Sequence, residues 1–135
     1  MAKLYKNISA LVITLTFLIA NIATLKDYGY TWDYPHHYNA GIKRLEHISG
    51  WDLSWMPRQD RDTFGDQPYG PLADALPVLS QIIFHYKLGI LPADSAYHLP
   101  LVLAATLGVF ALFNFLTVNY QLSTAILGTS ILALY

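Results

Sequence analysis

SAYHLPLVLAATLGVFALFNFLTVNYQLSTAILGTSILALY, residues Ser95 to Tyr135, contains no Asp, Glu, Lys or Arg. A second stretch, Asn7 to Leu25, is likewise free of formal charge. Both meet the rough criterion of ~18 apolar residues for a helix that crosses a bilayer. With 54% hydrophobic and only 13% charged residues, the 135-residue chain is too apolar for an ordinary soluble domain. The expected fold class is an all-α membrane protein: transmembrane helices plus an outer loop that carries juxtamembrane helices. A net charge of -1, with no basic patch beyond Lys43-Arg44, argues against nucleic acid as a partner. The absence of cysteine removes any disulfide framework or thiolate metal site.

The apolar segments bracket a polar one. Between Lys26 and Gly70 lie seven of the nine acids, all three tryptophans and three of the five histidines. The expected organisation is a span at about 7–25, an outer loop with surface helices at 26–97, a span at about 99–118 and the start of a further span at 122–135. The opening residues, with Lys3 and Lys6 before the first apolar run, also fit a secretory signal. A cleavage site needs small residues, and Asn21 two positions before Ala23 is a poor match, so a retained anchor is preferred. Lys3 and Lys6 then hold that end in the cytoplasm and send 26–97 outward, although Lys26, Lys43, Arg44, Arg58 and Arg61 in the loop weaken the charge bias. The Asn7-Ile8-Ser9 glycosylation sequon falls on the cytoplasmic side and is expected to be unused. After the short polar turn Asn119-Tyr120-Gln121, Leu122 to Tyr135 is too short to cross a bilayer at ~1.5 Å per residue. The expectation is that these residues are the front of a longer polypeptide and do not catalyse alone.

From Pro71 to Leu91, Leu72, Leu76, Leu79, Ile83, Tyr86 and Ile90 repeat at helical spacing, with Asp74, Gln81 and His85 on another face. The pattern predicts a helix that lies on the membrane surface. Pro71 suits its start, Pro77 should kink it or delay its onset, and Gly89 and Pro92 end it.

The most pointed polar sequence is Thr31-Trp32-Asp33-Tyr34-Pro35-His36-His37-Tyr38. A helix is predicted over Pro35 to Ile48, with Tyr38, Ile42 and Leu45 on one stripe, Lys43, Glu46 and His47 elsewhere, and Gly50 as its stop. Asp33 stands just before it. Spacing alone favours a capping role for this carboxylate; the sharper alternative is a general base that removes a proton from an acceptor hydroxyl. His36 and His37 point about 100° apart on a helix with no histidine at i+4, so no metal is expected. Asp60-Arg61-Asp62 resembles the paired aspartates of nucleotide-sugar enzymes only weakly, and Phe64 at a ligand position spoils a calcium loop. Tyr28, Tyr30, Trp32, Tyr34, Tyr38, Trp51 and Trp55 suit either an interfacial aromatic belt or a surface for stacking sugars. Trp32 and Tyr34, which flank Asp33, are singled out for ligand contact. His98, at the head of an apolar span, is read as an interface residue before a proton carrier.

In its order of parts, the chain resembles the start of a GT-C membrane glycosyltransferase. The parts are a basic end, a first span, an outward loop with Trp32-Asp33-Tyr34-Pro35, the surface segment Tyr69-Gly70-Pro71-Leu72 and the span entry Tyr97-His98-Leu99-Pro100. It is similar in pattern to dolichyl-phosphate-mannose protein mannosyltransferases and bacterial phospholipid-carrier-dependent glycosyltransferases. Their first outer loop carries an essential Asp in a Trp-Asp-Glu-Pro-like motif. Asp33 occupies that position, whereas Tyr34 replaces the usual Glu and His98 the usual Arg. The resemblance implies transfer of a sugar from a polyprenyl-phosphate carrier to an acceptor on the outer face, in a membrane expected to be the bacterial inner membrane. Asp33 would be catalytic, with Trp32, Tyr34, His37 and Tyr38 binding substrate. Membrane lipid and a lipid-linked donor are the expected partners, and no cofactor is expected. Two rivals stand beside it: a non-catalytic multi-span subunit whose aromatic loop docks a partner, and a secreted loop protein whose first segment is cleaved.

Overall fold

The computed structural model describes residues 2–31, 33–59 and 70–134. Among them every regular element is helical: α1 (Ala2–Ala23), α2 (Tyr34–Ser49), α3 (Pro71–Gln81), α4 (Ala93–Asn119) and α5 (Leu122–Leu134). A 3₁₀ turn at Leu25–Asp27 follows α1, and a π-helical segment at Ile82–Lys87 continues α3. The residues form two compact units, one of 1–24 with 101–135 and one of 25–100.

In the first unit α1 packs on α5, and Ala10, Phe113 and Ala125 form a small core with Ile13, Leu116, Leu122 and Ile126. Two helices, Leu4–Ala23 and Ala93–Asn119, are long and apolar enough to cross a membrane. Their polar side chains bond mostly within their own helix: Asn21 donates to the Phe17 carbonyl, Thr106 to Val102, Asn114 to Phe110 and Asn119 to Phe115. Such i to i−4 bonds leave few polar groups in need of water. Meanwhile Leu11, Leu15, Ile19, Leu107, Phe110 and Phe115 lie exposed along these helices.

The second unit is built on the crossing of α2 and α3. Tyr38, Ile42 and Leu45 form the predicted stripe and pack with Leu53, Met56, Ala75, Val78, Ile82 and Tyr97. Gly50 ends α2 as predicted, with φ of 69°, a left-handed conformation that costs glycine nothing. Gly41 serves a different need. A Cβ there would collide with the Asp74 carbonyl and sit 2.6 Å from Val78 Cγ2, so only a residue without a side chain admits the backbone of α3 this close. Asn39 exchanges two bonds with the Gln59 backbone, at 2.9 and 3.1 Å, and fastens the segment after α2 to that helix.

Three boundaries differ from the sequence expectation. Pro77 lies inside a helix that already begins at Pro71, so it does not delay the onset. The predicted surface helix changes from α to π geometry at Ile82 and ends at Lys87. The last long helix begins at Ala93, six residues before the expected Leu99, because Pro92 supplies its carbonyl to the Ala96 N–H at 2.9 Å and Asp94 takes the Ser95 N–H at 2.8 Å. Pro100 is accommodated within it.

Candidate functional site

Asp33 stands at the N-cap position of α2, but its carboxylate makes no capping bond. Its carbonyl, not its side chain, accepts the N–H groups of His36 and His37, at 3.1 and 3.3 Å. The carboxylate instead accepts the Thr31 hydroxyl on one oxygen, and its other oxygen lies 3.4 Å from His37 Nε2. With its side chain 39% exposed, Asp33 can meet a molecule from outside. The Thr31 hydrogen bond, aided by His37, holds its carboxyl below the usual carboxylate range, so the group is ionised at neutral pH.

His37 is anchored from the other side. Its Nδ1 donates to Asp74 Oδ1 at 2.7 Å, and Asp74 Oδ2 accepts from Arg44. Asp74 is 1% exposed. A carboxylate taken this far from water is tolerable only where donors satisfy its oxygens, and Arg44 and His37 do so here. Asp33, His37, Gly41 and Arg44 are spaced by four, four and three, one face of a helix. Gly41 brings α3 against that face, so two side chains of α2 reach one residue of α3.

Asp74 and Gln81, on a face apart from the apolar one as the spacing predicts, are turned inward, because that side of α3 is the one that meets α2 and the start of α4. Gln81 Nε2 donates to the Ala93 carbonyl at 2.8 Å. The apolar residues Leu72, Leu76, Ile83, Tyr86 and Ile90 are the exposed ones.

Among the proposed ligand contacts, Asp33 and His37 come together, while Tyr34 and Tyr38 are buried in the core. Tyr34 stacks between Tyr30 at 3.9 Å and Tyr38 at 5.3 Å, with Tyr97 edge-on at 4.8 Å. This column supports the first turn of α2, and the expected ligand contact through Tyr38, 1% exposed, is corrected to a packing role. Burial pushes both phenols above their ordinary range, so they remain neutral. Tyr28 and Tyr30 keep exposed ring surface. His98 Nε2 donates to the Gly29 carbonyl at 2.7 Å. Trp32 and the Asp60-Arg61-Asp62 sequence lie outside the described residues.

No group of three or more His, Cys, Asp or Glu side chains suited to a metal occurs among the described residues. A cavity of about 260 Å³ lies in the first unit, lined by Val12, Ile13, Thr16, Phe17 and Ser130 among others; no member of the Asp33 cluster lines it. No protein-family profile, curated protein or solved structure matches the chain.

Proposed function

We propose that this chain is part of an integral membrane glycosyltransferase of the GT-C kind. The unit 25–100 lies outside the cytoplasm, and Asp33 is the general base that activates the acceptor. One observation carries the reading: the Asp33 carboxylate is exposed, ionised and held by Thr31 and His37 rather than engaged in capping its helix. A lipid-linked donor keeps its tail in the bilayer, which brings the reactive carbon to the interface where a loop between two spans can reach it. The exposed apolar side chains of α1 and α4 fit a lipid solvent, and those of α3, with Trp51 and Trp55, fit the membrane surface. An ionised carboxylate near the acceptor hydroxyl then takes its proton as the sugar–phosphate bond breaks.

The test is donor class and sidedness. Sealed right-side-out vesicles containing the full-length protein should release polyprenyl phosphate from a tritiated polyprenyl-phosphate hexose added outside. Use of a nucleotide sugar in its place, or transfer only in inverted vesicles, would contradict the reading. The rival, a docking subunit without catalysis, predicts no release from either donor.

A further inference from the structure

The first turn of α2 finds its hydrogen-bond partners on the backbone. The Thr31 carbonyl accepts the Tyr34 N–H at 3.1 Å, Pro35 has no N–H to satisfy, and the Asp33 carbonyl accepts those of His36 and His37. With the donors of the helix start met in this way, the Asp33 carboxylate is released from the task its position suggests. The Thr31 hydroxyl holds it elsewhere, through a hydrogen bond to Oδ1. We propose that Thr31 is the positioning residue of the base: its hydroxyl fixes the Asp33 carboxylate in the orientation that meets the acceptor. This rests on the reading of Asp33 as the base.

The backbone that presents the hydroxyl is tied down from outside α2. The Gly29 carbonyl accepts His98 Nε2 of α4 at 2.7 Å. The Tyr30 ring stacks on Tyr34 at 3.9 Å, and its hydroxyl accepts Gln81 Nε2 of α3 at 3.4 Å. Thr31 follows these two anchored residues directly and closes its own turn on Tyr34. A donor held so firmly can restrain an exposed carboxylate that would otherwise turn among its rotamers.

A carboxylate has about four lone-pair sites, so one donated hydroxyl leaves room for the O–H of an acceptor. In the transfer step the acceptor oxygen forms a bond to the anomeric carbon, the bond from that carbon to the carrier phosphate breaks with its electron pair on the phosphate, and the hydroxyl proton goes to Asp33. Thr31 keeps its own proton and touches no substrate. Its contribution is aim, and a misplacement of about 1 Å at a reacting group can cost on the order of 10²-fold in rate. The same hydrogen bond holds the Asp33 carboxyl below its ordinary range, so its loss has a signature in pH as well as in rate. The ionisable groups that face Asp33 are His37 of α2, with Nε2 3.4 Å from Oδ2, and Tyr97 of α4, which lies within reach of its charge.

The test uses the full-length protein in lipid nanodiscs, with a tritiated polyprenyl-phosphate hexose as probe. Thr31→Val keeps the β-branched shape and its backbone preference and removes the O–H. Its kcat should fall about tenfold or more with the donor KM unchanged, and the acid limb of its kcat profile should rise toward the ordinary 3.8. Thr31→Ser, which retains a hydroxyl, should restore most of the activity. Combined with Asp33→Asn, Thr31→Val should cost nothing further, because the effects of two residues that act as one unit do not add. Wild-type kcat or an unmoved acid limb in Thr31→Val, a serine variant no better than the valine one, or a second tenfold loss on top of Asp33→Asn would each overturn the positioning role; Thr31→Ala serves in the same comparisons if the valine variant fails to fold. Full activity of Asp33→Asn would instead overturn the base reading itself.

Discussion

Asp74 is buried and Arg44 is 22% exposed, so the two ends of this ion pair differ in what their loss leaves behind. Arg44→Ala strands a carboxylate in the core with only His37 to satisfy it, a defect worth roughly 3 kcal/mol or more. Asp74→Asn leaves a guanidinium that can reach water and should cost less. Chemical denaturation of the two variants checks the order, and equal losses would mean that Asp74 is better solvated than its burial indicates. For Asp33, a folded-state pKa below the ordinary 3.8 means that its contribution to stability is present above that value and is lost as pH falls through the lowered one. The same sign applies to turnover. The acid limb set by Asp33 should lie below about pH 4, and a limb near neutrality in the kcat profile that vanished in Asp33→Asn would contradict the assignment.

At the scale of elements, the contact between α2 and α3 depends on Gly41. Gly41→Ala should force the helices apart and destabilise the protein by about 1–3 kcal/mol, and it should also break the His37–Asp74 contact, read as a change in the ¹⁵N shifts of the His37 ring. A variant as stable as the wild type would show that the crossing is looser than described. The helix α2 was legible in the sequence: its apolar stripe at Tyr38, Ile42 and Leu45 and its stop at Gly50 are local signals. The spacing of Asp33, His37, Gly41 and Arg44 was also there to be read as one face. What the sequence hid was its partner, since periodicity in α3 reports which residues share a side but not which side turns inward. The polar face of α3 is the one that turns inward: Asp74 and Gln81 are internal, while Leu72 and Leu76 are exposed. Tyr34 and Tyr38 misled for a related reason. Aromatic residues beside a polar motif serve equally to stack a sugar or to prop a helix turn, and only packing separates the two.

For the whole molecule, composition and the two charge-free stretches made the helical class and the two long apolar helices legible, and the expected polar turn lies at the end of α4, with Tyr120 and Gln121 between α4 and α5. Membrane sidedness follows from the proposed topology and can be measured. In an otherwise cysteine-free protein, Ser54→Cys should react with an impermeant maleimide added outside cells, whereas Gln121→Cys should react only after the membrane is opened. Labelling of both from outside would refute the scheme. The account turns on Asp33, and the most direct test is the turnover of a polyprenyl-phosphate sugar by the full-length protein in nanodiscs, wild type against Asp33→Asn. The amide keeps the size of the carboxylate but cannot accept a proton, so kcat should fall by at least about 10²-fold while the thermal unfolding midpoint stays within a few degrees of wild type; undiminished turnover by a folded Asp33→Asn protein would contradict the account.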